Sequence, residues 1–89
     1  MTKSVEIVVS GKVQGVWFRA TTKRKADQLN VVGSVQNIKD GSVRITAKGE
    51  EVSINEFIQF CKIGPDTARV KSIVIRYIDV DAKSFEIIR

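Results

Sequence analysis

The sequence predicts an α+β fold with two helices on one face of an antiparallel-rich sheet, and three observations carry that prediction. Phe18, Thr22, Ala26 and Leu29 recur at helical spacing, as do Ile54, Phe57, Ile58 and Cys61. Alternating or continuous apolar segments flank these two stretches and read as strands. Between two of those strands lies Asp40-Gly41, a strong hairpin signal. The order β-α-β-β-α-β is the ferredoxin-like split βαβ pattern. Residues 1–89 read as a single domain, because 89 residues is well below ~150 and no linker, repeat or biased tract interrupts them.

Taken in order, Val5, Ile7 and Val9 alternate with Glu6, Val8 and Ser10 to give a first strand. Gly11 to Val16 holds two glycines and is expected to be a loop, followed by a helix over about 18–30 that Gly33 breaks. A second strand covers about 34–38. Lys39-Asp40-Gly41-Ser42 then predicts a type I′ turn, in which both central residues take positive φ, with Asp40 serving the turn. Val43, Ile45 and Ala47 alternate with Arg44, Thr46 and Lys48 in the returning strand. Ser53-Ile54-Asn55-Glu56 fits a capping box, with Val52 and Phe57 at the staple positions, and Gly64-Pro65 stops the second helix. Cys61 falls on its core face. Val70 to Ile78 reads as a strand whose inward face the pattern leaves open, and Phe85 with Ile87 suggests a short last strand.

Composition excludes several chemistries. There is no His, which removes imidazole general bases, Ser–His catalysis and His-containing metal sites. The lone Cys61 rules out an internal disulfide and a Cys-only zinc cluster. No segment approaches the ~20 apolar residues of a membrane span, and a signal peptide's apolar region is missing, so a cytoplasmic setting is expected. The net charge of +5 is equalled by Lys12, Arg19, Lys23, Arg24 and Lys25, all within an acid-free gap between Glu6 and Asp27. That gap suggests either an anionic ligand or, for Lys23, Arg24 and Lys25, a solvated helix face.

The loop Gly11-Lys12-Val13-Gln14-Gly15-Val16-Trp17-Phe18-Arg19 carries the chemistry. Glycines let backbone N–H groups turn inward, and a helix N-terminus adds partial positive charge, together suited to a phosphate-sized anion. Arg19 in the first helical turn offers a planar fork of donors for phosphate oxygens. The competing reading is an ordinary βα turn with an exposed arginine. The crossover makes strands 1 and 2 parallel, so Asn37, at the end of strand 2, shares a rim with this loop. Its carboxamide suits a held water there, or else a bond to the hairpin backbone.

These residues resemble a family. Gly11 to Arg19 is similar to the signature loop of acylphosphatases, and Gly33-Ser34-Val35-Gln36-Asn37 with Asp40-Gly41-Ser42-Val43 looks like their second block. Gly49, Phe57, Gly64-Pro65, Ala68 and Val70 follow at the family's spacing, so the resemblance covers nearly the whole chain. It implies hydrolysis of a carboxyl–phosphate anhydride to carboxylate and inorganic phosphate, with no metal and no cofactor. It further implies that Arg19 binds phosphate, that Asn37 positions the attacking water, and that the loop amides of Gln14, Gly15, Val16, Trp17, Phe18 and Arg19 hold the phosphoryl oxygens. Departures are Trp17 and Asn30 where glycine is frequent or common, Ser34 where an aromatic is frequent, and Arg44 where an acid is frequent.

The chemistry is coherent beside the resemblance. An acyl phosphate expels a carboxylate whose conjugate acid has a pKa of roughly 4, so it needs no proton donor. An arginine, amide donors and a positioned water suffice for such a substrate, whereas a phosphate monoester normally wants an acid or a metal. Phosphate is expected as product and inhibitor, and a monomer as the working state. Two alternatives compete. A ferredoxin-like nucleic-acid-binding module fits the charge, but Val43 to Lys48 offers no aromatic on which bases stack. A carbamoyl-phosphate-handling domain would use similar residues, but the short chain weighs against the larger enzymes that contain one.

Overall fold

The period of two along β1 (Thr2–Lys12) separates the faces of the sheet. Val5, Ile7 and Val9 are fully buried, and Glu6 and Val8 point to the opposite side. The computed structural model describes residues 1–88. After β1 come α1 (Phe18–Gln28), β2 (Val32–Asn37), β3 (Val43–Glu50), α2 (Glu51–Ile63), β4 (Arg69–Tyr77) and β5 (Phe85–Ile88). The sheet order is β4-β1-β3-β2-β5; β1 pairs antiparallel with β3 and β4, β2 antiparallel with β3, and β5 parallel with β2. This is the ferredoxin-like arrangement, with β5 added beside β2.

Both helices cover the face carrying Val5, Ile7, Val9, Val35, Val43 and Ile45. Phe18, Thr22 and Ala26 of α1 and Ile54, Phe57, Ile58 and Cys61 of α2 are buried against it. Each large apolar side chain placed there contributes about 1.5–3 kcal/mol. Phe57 meets Phe85 edge-on with centroids 5.9 Å apart, which ties α2 to the short β5. Burial raises the Cys61 thiol far above its ordinary pKa, so it is a core side chain and not a nucleophile. On edge strand β4 the half-buried Val70, Ile73 and Ile75 pack toward the core, which settles the face the sequence pattern leaves open.

Three local expectations are corrected. First, α2 does not begin with a capping box. Its N-cap is Glu50, with no side-chain cap bond, and Val52 is 79% exposed and staples nothing. β3 runs straight into α2 beside the paired chain start, and the Glu51 N–H donates to the Met1 carbonyl at 2.8 Å. The helix thus starts two residues before Ser53, and the carbonyl of Met1, just ahead of β1, satisfies one of its first amides. Second, the hairpin is not type I′, because Gly41 (φ 94°) has positive φ and Asp40 does not. Gly41 N–H donates to Ile38 O, Ile38 N–H donates to Ser42 O, and the Asp40 carboxylate accepts from the Ser42 N–H and Oγ at 2.9 and 2.6 Å. That is a three-residue loop held by an Asx contact, and the same bonds hold the Asp40 carboxyl below its usual pKa. Third, Gly11 belongs to β1 and not to the loop. It sits at a bulge against β4 with φ 127°, where a Cβ would collide with the Arg69 carbonyl.

On the open face Glu6 is buried between two arginines from neighbouring strands, with Arg44 Nε at 2.7 Å and Arg76 Nε at 2.9 Å. The Arg44 hydrogen bond is the main reason its carboxyl titrates below the usual glutamate range; burial opposes this, and the charges of both arginines add to it. A depressed folded-state pKa means stabilisation that is present above the unfolded value of about 4.3 and lost as pH falls through the folded one. Glu6→Gln is therefore expected to lower the melting temperature at pH 7, with the gap to the parent shrinking at pH 3. Thermal unfolding at the two pH values checks it, and an equal gap at both would be the contrary result.

Candidate active site

The bulge at Gly11 delivers the chain into a loop, 13–17, that tertiary contacts hold from three sides. Val13 and Val16 are buried beneath it. Gln14 Nε2 donates to the carbonyls of Ile38 and Ser42 at 2.7 and 2.8 Å, fastening the loop to the β2–β3 hairpin. Thr67 Oγ1 donates to Val16 O at 2.6 Å from the approach to β4. The Trp17 carbonyl accepts from the Thr21 amide and hydroxyl at 3.0 and 2.9 Å, opening α1.

Held in this way, the backbone turns left-handed at Gly15 (φ 72°) and at Trp17 (φ 66°). At Trp17, the N-cap of α1, that conformation costs about 1–2 kcal/mol for a residue with a Cβ. Among the described residues, the turn, loop and cap hydrogen bonds include no backbone amide donor from Gln14 to Arg19. The first turn of α1 carries no acidic residue, so the positive end of its dipole is not offset locally. Free amides and a helix N-terminus on one short loop form a concentrated anion-attracting surface.

Arg19 and Asn37 line a single cavity of about 230 Å³, together with Val13, Gly15, Trp17 and Phe18. Asn37 shares the helix-covered side with the fully buried Val35. Its Oδ1 is buried and has no hydrogen-bond partner among the described residues, so Asn37 is not the hairpin clamp. Gln14 performs that task instead. Arg19 forms no ion pair among the described residues, whereas Lys23 pairs with Asp27 and Lys25 with Glu56. Lys23 and Lys25 thus belong to the helix surface, and Arg19 stands apart from them.

Two of the sequence-predicted loop residues lie outside this cavity's lining. Gln14 sends its side chain to the hairpin, and Val16 borders a neighbouring depression of about 390 Å³ on the β4 side. The larger depression on the open sheet face, about 630 Å³, gathers Ser34, Arg44, Thr46 and the 78–84 segment and none of the predicted site residues. The described residues contain no group of three His, Cys, Asp or Glu side chains able to hold a metal, and no helix long and apolar enough to cross a membrane.

The anchoring roles of the Gln14 and Thr67 side chains escape sequence reading. Thr67 offers no signal at all, and Gln14 only that it is the one polar side chain between Val13 and Val16. Gln14→Ala removes two side-chain hydrogen bonds to the hairpin, whose carbonyls keep the Gly41 and Ile38 amides. At about 0.5–1.5 kcal/mol for each lost bond, it is expected to cost about 1–3 kcal/mol. It also frees the hairpin that carries Asn37, so turnover should fall with stability. Denaturant unfolding and a rate measurement on the same variant check both.

The acylphosphatase family model matches residues 5–87, which contain the whole site. The chain belongs to the acylphosphatase family. An acylphosphatase of Methylococcus capsulatus is 39% identical over 84 residues, covering 94% of this chain and 91% of that one. The solved acylphosphatase of Bacillus subtilis superposes with a TM-score of 0.92 at 32% identity, over 100% of both chains. Full-length HypF in a phosphate- and nucleotide-bound form gives a TM-score of 0.92 at 31% identity, covering 100% of this chain and 12% of that one. A unit similar to this chain therefore also occurs within a much longer polypeptide.

Proposed function

We propose that this member of the acylphosphatase family hydrolyses acyl phosphates to a carboxylate and inorganic phosphate in the cavity shared by Arg19 and Asn37. The observation that carries the proposal is that juxtaposition: a guanidinium from α1 and a β2 carboxamide whose Oδ1 has no partner line one space beside a loop of free amides. In this reading the amides of Gly15, Val16, Trp17 and Phe18, with that of Gln14 at the loop's start, cradle the phosphoryl oxygens. Arg19 adds its planar donors and full charge. As the bond to the carboxylate loosens, negative charge shifts outward, and preorganised donors of this type are commonly worth about 3–4 kcal/mol each. Asn37 aligns a water for in-line attack on the face opposite the departing carboxylate.

The leaving carboxylate needs no proton, which suits a site built without an acid of its own. Loss of benzoyl phosphate, followed by ultraviolet absorbance, tests the reading. Turnover inhibited by inorganic phosphate and indifferent to a chelator is the expected result, and turnover abolished by the chelator would overturn the metal-free mechanism. We also infer a cytoplasmic monomer with residues 1–89 as one catalytic unit; the span of the family model over residues 5–87 supports the single unit. Sedimentation at micromolar concentration checks the monomer.

A further inference from the structure

Trp17 is the only tryptophan in the chain, and it is 76% exposed in a left-handed backbone conformation that a glycine would adopt without strain. Its indole gains little from packing, and the loop anchors at Val16 and Trp17 hold it where it stands. Two cavities meet at Trp17 and Gly15. One holds Arg19 and Asn37; the other, about 390 Å³, lies toward β4 and is bordered by Lys12, Thr67, Arg69 and Asp66.

In-line displacement places the nucleophile and the leaving group on opposite sides of phosphorus. With Asn37 on the water side, the acyl group departs away from β2, across the loop and toward β4. We infer that the β4-side cavity is the acyl-group subsite, that Trp17 is its aromatic wall, and that it favours acyl phosphates with a flat, apolar acyl group. This inference rests on the phosphoryl cradle proposed above and names the part of the substrate that the cradle leaves unassigned.

An indole presents a wide polarisable face to an aryl group and little to an acetyl group. Lys12 and Arg69, in the same lining, add positive charge where the carboxylate gathers its own. Neither forms an ion pair among the described residues, although Asp66 in that lining offsets part of their charge. Lys12 thus acts on a group common to all acyl phosphates, whereas Trp17 acts on what distinguishes them.

The test compares kcat/KM for benzoyl phosphate and acetyl phosphate in the parent, Trp17→Gly, Trp17→Phe and Lys12→Gln. Trp17→Gly suits the left-handed backbone, so the variant folds. It is expected to lower the benzoyl-to-acetyl ratio about tenfold, and Trp17→Phe to restore it to within about threefold, as stacked aromatics of this kind allow. Lys12→Gln is expected to slow both substrates several-fold and leave their ratio unchanged. Because Trp17 is the sole indole, its emission should also respond to benzoate, but not to acetate, in the presence of inorganic phosphate. An unchanged ratio in Trp17→Gly, or indole emission indifferent to benzoate, overturns the subsite. A parent that turns over neither substrate overturns the phosphoryl-transfer reading beneath it, a distinct outcome.

Discussion

Replacing Arg19 by alanine is expected to lower kcat/KM for benzoyl phosphate by about 10³ or more and to weaken inhibition by inorganic phosphate in parallel. The guanidinium lines the cavity, has no carboxylate partner among the described residues, and stands beside free loop amides. Its charge is therefore available to a phosphoryl group in both the ground and the transition state, so binding and turnover fall together. Arg19→Lys keeps the charge and loses the planar fork, so it should recover part of the phosphate affinity and less of the rate. Fold stability should hardly move, because Arg19 is half-exposed and bonded to nothing the core depends on. Full activity in Arg19→Ala would remove the central element of the mechanism.

Asn37→Ala should behave differently. A rate loss of about 10² is expected, the typical consequence of losing alignment of one reacting partner, with phosphate inhibition largely retained. The split follows from the proposed roles: Asn37 would serve the water side of the cavity, and its side chain makes no hydrogen bond on which the loop depends. A second readout separates this from structural damage. Asn37 Oδ1 is buried without a partner, which carries a desolvation cost in the folded protein. Its removal should leave the unfolding midpoint unchanged or raise it, while a structural asparagine would lower it. Such a trade of stability for function is common at active sites. Denaturant unfolding beside inhibition kinetics decides between these outcomes, and a variant of undiminished activity would end the water-positioning role.

Much of this site is legible in the chain. Residues Gly11 to Arg19 announce a βα loop, and the crossover rule places the end of β2 on the same rim, so the meeting of Arg19 and Asn37 follows from topology. The same rule does not reveal which polar side chains hold the site and which remain free for substrate. Gln14 and Asn37 are both carboxamides near one hairpin; sequence spacing leaves Asn37 between a held water and a hairpin bond and suggests no part for the Gln14 side chain. Gln14 closes on the Ile38 and Ser42 carbonyls, while Asn37 is left unbonded. Hydrogen-bond assignments of this kind depend on ångström-level position, to which residue order is blind.

What the residue order determined by itself is the two-layer architecture, the core and the rim on which the loop, Arg19 and Asn37 meet. Hydrophobic periodicity is a local property, and right-handed crossovers leave few ways to assemble it. What only the tertiary structure decided is how chain ends and turns are satisfied. The Met1 carbonyl caps α2, Asp40 shapes the hairpin by accepting from Ser42, Gly11 bends β1 against β4, and Glu6 lies between arginines of two other strands. The physical reason is tertiary proximity. The Met1 carbonyl and the Asp40 and Glu6 carboxylates accept whichever donors the folded chain brings within about 3 Å. Glycine is needed at position 11 because the β4 backbone leaves no room for a Cβ.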